Sequence, residues 1–227
     1  MIARLRREES GFTLVELLVA CTIGTIVLLA TFMTLDSSVV LTGKVTDRVD
    51  RTQRSRVAME DITRKLRSQV CPSAGQPAII SADDYAVKFY SFLGTRPFVP
   101  DIREISWDTN TNSIIEKKWA GNPAAPGTTA ATPTTQTLLT DVKPTFVSGQ
   151  AGPRGPVFKY YTGGAATSLT TPLSTTDMGA ASQISVAFMT YAQSKNLTGP
   201  ATTLQNQIFV RTADPNATNG SSAPECA

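Results

Sequence analysis

Gly11-Phe12-Thr13-Leu14-Val15-Glu16-Leu17-Leu18-Val19-Ala20 decides the reading of this 227-residue chain. Glu16 is the last formal charge before nineteen residues, Leu17 to Leu35, that carry none. As a helix that run extends about 30 Å, the thickness of a bilayer's hydrocarbon core. A carboxylate at mid-bilayer costs roughly 2.5–3.5 kcal/mol on insertion scales, and less near the surface, so Glu16 marks a functional site by default. Upstream lies a short leader with Arg4, Arg6 and Arg7, which favours a cytoplasmic N-terminus.

Gly11 to Glu16 resembles the cleavage and methylation signal of type IV pilins and type II secretion pseudopilins. The resemblance implies that a prepilin peptidase cuts between Gly11 and Phe12 and methylates the new Phe12 amine. It also implies that Glu16, fifth in the mature chain, meets the N-terminal amine of a neighbouring subunit during assembly. Three plainer readings stand beside it. Thr13 and Glu16 fit a capping box at the start of a helix. A secretory signal peptide would have a shorter apolar region, of about 7–15 residues, ending near small residues. An ordinary single-pass anchor would use the same arginines for orientation.

Loss of the 11-residue leader leaves 216 residues with a side-chain charge of +2, too small to suggest nucleic-acid binding by bulk charge. The chain has no histidine, which excludes histidine-based triads, general bases and zinc sites. No cofactor and no catalytic residue is expected. Of the three cysteines, Cys21 falls in the apolar run, whereas Cys71 and Cys226 flank the C-terminal part. With that part on the outer side of the membrane, where disulfides persist, Cys71 and Cys226 are plausible partners; two free thiols are the alternative.

Beyond Asp36 the helical periodicity continues. Val45, Val49, Thr52, Ser55, Met59, Ile62, Leu66 and Val70 recur at spacings of three and four, which predicts one buried stripe. Asp50 with Arg54, Glu60 with Arg64 and Asp61 with Lys65 stand at i and i+4 in the favoured acid-first order. The basic residues here, Arg48 to Arg67, have no interleaved aromatic residue to stack on bases, so a solvated face or a subunit interface explains them better than nucleic acid. Pro72 is a natural stop.

Past Pro72 short runs rich in β-branched and aromatic residues predict strands over 85–92, 102–107, 113–119, 157–161, 183–191 and 207–211, with a weaker one over 138–147 interrupted by Pro144. Residues 121–136, 162–181 and 214–227 read as long loops of Ala, Thr, Ser, Gly and Pro. They and their neighbours hold three chance-prone N-glycosylation triplets, at Asn196, Asn216 and Asn219. Asp108, Asn110 and Asn112 match the start of a calcium loop, but Ser113 and Trp119 replace its glycine and glutamate, and a hairpin turn fits better. Asp83-Asp84 reads as a turn.

These observations predict an α+β protein in three parts. Residues 1–11 form the leader, 12–70 one helix that is transmembrane over about 14–35, and 71–227 a β-rich head packed on the helix's second half. The segment from Arg51 to Arg67 is similar to the corresponding stretch of PilW-like minor pilins and J-type (PulJ-like) pseudopilins. Glu16 departs from the K-type tip pseudopilins, which typically lack that acid. Met33 stands where many major pilins carry a helix-bending proline, which implies a straighter helix. The likeness implies a minor filament subunit of a type IV pilus, held in the inner membrane with its head outside before joining an extracellular or periplasmic filament. Its implied partners are other pilins, the prepilin peptidase, the inner-membrane assembly platform and, before assembly, lipid. The alternatives are a J-type or competence pseudopilin of a secretion or DNA-uptake system and, more remotely, a membrane-anchored ligand-binding or hydrolytic domain.

Overall fold

The computed structural model describes residues 12–72, 76–93, 100–121, 132–147, 152–191 and 201–210. The chain divides into two compact units, Met1–Asp47 and Arg48–Ala227. One helix, α1 (Leu14–Arg67), belongs to both and is 54 residues long. The second unit adds β1 (Ile79–Ala82), β2 (Ala86–Ser91), β3 (Asp101–Asp108), β4 (Ser113–Trp119), β5 (Thr134–Leu139), β6 (Val142–Lys143), β7 (Phe158–Tyr161), α2 (Thr175–Ala180), β8 (Gln183–Thr190) and β9 (Thr202–Phe209). The protein is α+β, as its periodicities predict.

β1 to β5 form an antiparallel meander in sequence order. The second sheet is built around β8. Its whole length pairs with β9, from Gln183↔Phe209 to Thr190↔Thr202. β7 pairs with Gln183–Val186 and β6 with Met189 and Thr190, sharing the other edge. Side-chain and backbone bonds join the sheets: Trp107 Nε1 donates to the Val142 carbonyl at 3.0 Å, and the Tyr160 hydroxyl donates to the carbonyls of Asp83 and Ala86. Burial, then the nearby Asp83 and Asp84 charges, raise Tyr160 well above the usual phenol range, which keeps that hydroxyl a donor.

The core follows from alternation. Val87 and Phe89, Ile105, Ile114, Ile184, Val186 and Phe188, and Ile208 are fully buried on their strands, and Ile62 and Leu66 meet them from α1. The predicted helical stripe holds from Ser55 through Met59 and Ile62 to Leu66. Its upper members do not join the core: Val45 is 62% and Val49 51% exposed. Apolar spacing there continues the helix pattern, but no surface among the described residues buries it.

Several boundaries differ from expectation. α1 ends at Arg67, not at Val70, because the backbone is captured by β2 before Pro72 is reached. Gln69 bridges Ser91, Val70 N–H donates to Tyr90 O at 3.0 Å, and Phe92 N–H donates to Ser68 O at 2.9 Å. β1 is too short, at four residues, to show a pattern. β5 begins inside the predicted 121–136 loop because Thr134 to Thr137 are all exposed and show no alternation. The candidate over 138–147 is the end of β5, a turn at Thr140-Asp141, and β6, which stops before Pro144. β9 starts at Thr202 rather than Gln207, again in a Thr/Gln-rich stretch. α2 lies within the predicted 162–181 loop; Ser174 caps it by accepting the Asp177 N–H at 3.1 Å.

α1 is fastened to the first sheet by buried charge. Lys65 Nζ lies 2.5 Å from Glu116 Oε2, and Arg103 Nη1 lies 2.5 Å from Glu116 Oε1. All three residues are less than a tenth exposed. Asp61 pairs with Lys65 and with Arg64, both at 2.6 Å, and Lys118 pairs with Asp101 at 3.0 Å. Arg64 therefore takes Asp61 rather than the expected Glu60. Arg103 Nε also donates to Ser91 Oγ at 2.7 Å, so each arm of its guanidinium is held.

Removal of Glu116 alone takes the shared buried carboxylate from Lys65 and Arg103, leaving as carboxylate partners only Asp61 for Lys65 and the 3.5 Å contact with Asp101 for Arg103, and Glu116→Ala is expected to cost about 3 kcal/mol in a denaturant titration. Replacing Lys65, Arg103 and Glu116 together by Met, Met and Leu is expected to leave stability unchanged or higher, because three desolvation costs vanish with the pairs. A triple variant as unstable as Glu116→Ala contradicts this. Asp61 gives a pH test. Burial alone raises its pKa, but hydrogen bonds and charge from Lys65 and Arg64 outweigh it and hold the carboxyl below the usual range. A lowered folded pKa gives stability that is present above the unfolded value, about 4, and is lost as pH falls through the folded value. Thermal melts from pH 7 to pH 3 are expected to show an acid loss that Asp61→Asn reduces.

Candidate processing and assembly site at the N-terminus

The first unit is built on the helix start. α1 begins at Leu14 because Thr13 caps it: Thr13 Oγ1 accepts the Glu16 N–H at 3.3 Å and Thr13 O accepts the Leu17 N–H at 3.1 Å. Half of the capping box is thus present, with Thr13 in the N-cap role. The Glu16 carboxylate has no hydrogen-bond or ion-pair partner among the described residues, although its place in the first turn suits the helix dipole. Phe12, just before the cap, is 80% exposed. Gly11 lies outside the described residues.

From Leu14 onward the helix is long and apolar enough to cross a membrane, and none of its most apolar window is buried in this chain. Its hydroxyls are compatible with lipid because each finds an acceptor within the helix. Thr22 donates to Val19 O, Thr25 to Thr22 O, Thr31 to Val27 O and Thr34 to Thr31 O, all at 2.8 Å. A hydroxyl so paired needs no water, which is the condition a bilayer imposes. Cys21, in the same run, is a free thiol.

Other residues singled out by sequence are dispersed. Cys71 is not a free thiol, and Cys226 lies outside the described residues, as do Asn196, Asn216 and Asn219. Asp108, Asn110 and Asn112 form the β3–β4 turn. Asp108 Oδ1 accepts the Asn110 N–H at 2.9 Å, its Oδ2 accepts the Thr111 hydroxyl at 2.7 Å, and Asn112 has a left-handed φ of 49°. Those hydrogen bonds lower the Asp108 pKa, Asn110's contributing most, and engage the carboxylate inside the turn. Asp83 and Asp84 sit in the β1–β2 turn, where Asp84 O accepts the N–H groups of Val157 and Phe158. Among the described residues, no three His, Cys, Asp or Glu side chains converge as a metal site.

One surface went unread in the sequence. α1 and β5 enclose an open groove of about 940 Å³ floored by Val57, Ala58, Leu138 and Leu139. Val57 was the available signal: it lies off the buried stripe, an apolar residue on the charged face of the helix.

A search among curated proteins gives no match to the chain. The family described as Prokaryotic N-terminal methylation motif matches residues 6–32. That span contains the helix cap, Glu16 and most of the apolar run, and so the chain carries at its N-terminus the processing signal of a type IV pilin-like prepilin.

Proposed function

We propose that this protein is a minor, non-catalytic subunit of a type IV pilus or a related filament. The observation that carries the reading is Glu16, a carboxylate without a partner among the described residues, in the first turn of an apolar helix whose residues from Leu14 to Asp50 are all exposed. Prepilin peptidase removes residues 1–11 and methylates the Phe12 amine. Before assembly the helix spans the inner membrane over about 14–35, with Arg4, Arg6 and Arg7 on the cytoplasmic side and the head outside. Lipid satisfies the apolar side chains there but serves Glu16 poorly. In the filament the same helix packs on its neighbours, and Glu16 gains the charged amine of an adjacent subunit's Phe12. Packing drives the transfer and the charge pair directs it.

A disulfide between Cys71 and Cys226 belongs to the same reading. Cys71 follows α1 directly, is engaged rather than free, and has Cys226 as its only counterpart outside the membrane run. The bridge ties the C-terminus to the base of the helix and closes a loop of more than 100 residues, contributing up to about 5 kcal/mol in the chain-entropy account.

Mass spectrometry of sheared filaments tests the proposal. The expected result is this chain at low abundance, beginning at Phe12 with a methylated amine, among other pilin-like subunits whose identity separates a pilus from a secretion or DNA-uptake system. An intact leader in filament-associated protein, or a cut beyond Ala30, refutes the processing. Non-reducing peptide mapping is expected to find Cys71 linked to Cys226, and two free thiols in exported protein reject the bridge.

A further inference from the structure

We infer that the outer edge of β5, together with the groove between β5 and α1, receives an extended segment of another filament subunit as an added strand. The inference rests on the proposed function, since the partner is a co-assembled chain.

The meander's two edges are unequal. β1 is covered: Leu173 N–H donates to Ala82 O at 3.0 Å and α2 packs alongside. β5 pairs only with β4 among the described residues. Of its six residues Thr134, Thr135, Gln136 and Thr137 are exposed, and among the described residues no strand pairs with its outer side. Exposed edges are normally protected by charge, proline or distortion. Here Thr134 to Thr137 carry neither charge nor proline, and the distortion, a register shift opposite Ile114 and Ile115, lies at the far end of the strand.

The groove beside that edge explains why it is left open. One wall is the outer edge of β5, whose peptide groups have no strand partner among the described residues and suit an extended backbone. The floor is apolar, with Val57 66% exposed, and can take every second side chain of an entering strand. Asp50 is neutralised by Arg54 and Asp61 by Arg64, each at 2.6 Å, and Glu60 at the rim has no ion-pair partner among the described residues. The occupant is therefore an extended segment with apolar residues at alternate positions and a lysine or arginine to meet Glu60. The groove beside β9, the other open edge, is smaller, at about 560 Å³, and is walled by Glu60, Arg64 and Arg67. β9 is also tied to α1 through Asn206 Nδ2 and Thr63 Oγ1 at 2.9 Å.

Hydrogen exchange on the full mature chain tests the inference, comparing sheared filaments with detergent-extracted protein from cells that cannot assemble them. The amides of Thr134–Leu139 are expected to exchange about tenfold more slowly in filaments. Equal exchange in both samples, or slowing confined to the α1 wall, overturns it. Absence of the chain from filaments overturns this inference and the proposed function together, whereas its presence with an unprotected β5 overturns the inference alone. Thr135→Pro and Gln136→Pro give a second measurement. Neighbouring residues of a strand direct their N–H groups to opposite edges, so one of the two prolines removes an outward donor and leaves the β4 ladder intact. That variant, recognised by an unchanged melting temperature, is expected to be depleted several-fold from filaments; wild-type incorporation contradicts the docking role.

Discussion

The structure depends on one constraint: α1 is a single helix that must be satisfied in two solvents. Between Ser55 and Leu66 one face is buried by the protein's own sheets, and Ile62 and Leu66 reach zero exposure. Between Leu14 and Asp50 every residue is exposed. So much exposed apolar surface marks an interaction surface, long and apolar enough to cross a membrane. The internal pairing of Thr22, Thr25, Thr31 and Thr34 lets that surface be dry.

Charge is treated in opposite ways along the same helix. Lys65 is desolvated but fully compensated, with Asp61 and Glu116 in contact and Arg103 behind them. Such a network adds little net stability, yet it disfavours any other seating of the helix, because a slip of one turn would strand several charges at once. Glu16 lacks a compensating group among the described residues. The first arrangement fixes the head on its helix; under the proposed function the second is completed by a neighbouring subunit.

How much was legible from sequence follows from how each signal arises. The apolar run Leu17–Leu35 needed only length, and β4 was bounded correctly at Ser113–Trp119 because charged and β-branched residues delimit it. The starts of β5 and β9 were missed because Thr and Gln serve strands and loops alike: Thr134 to Thr137 show no alternation, and the alternating inner face at the start of β9 is Thr202, Leu204 and Asn206, with one apolar residue among them. Arg103 and Glu116 were not singled out in the sequence, but their phase was available: Arg103 shares a face with Ile105, and Glu116 with Ile114. Charged residues on the apolar face of neighbouring strands, with Lys65 on the buried face of α1, signal a buried network. At the N-terminus the Thr13 cap, the first-turn place of Glu16 and the apolar run were legible, since all are local in sequence. The α1–β5 groove was not, because it joins residues about 80 positions apart.

The central claim is that Glu16 serves assembly rather than folding, and Glu16→Ala in the full chain tests it most directly. Glu16 lies in the first turn, far in sequence from every strand, and its removal makes membrane insertion easier. The account predicts a folded, cleaved protein that accumulates in the membrane and is depleted from sheared filaments, because the attraction to a neighbour's Phe12 amine is lost where little water screens it. Incorporation at wild-type efficiency would contradict the docking role, and degradation before cleavage would make Glu16 a folding or capping element instead.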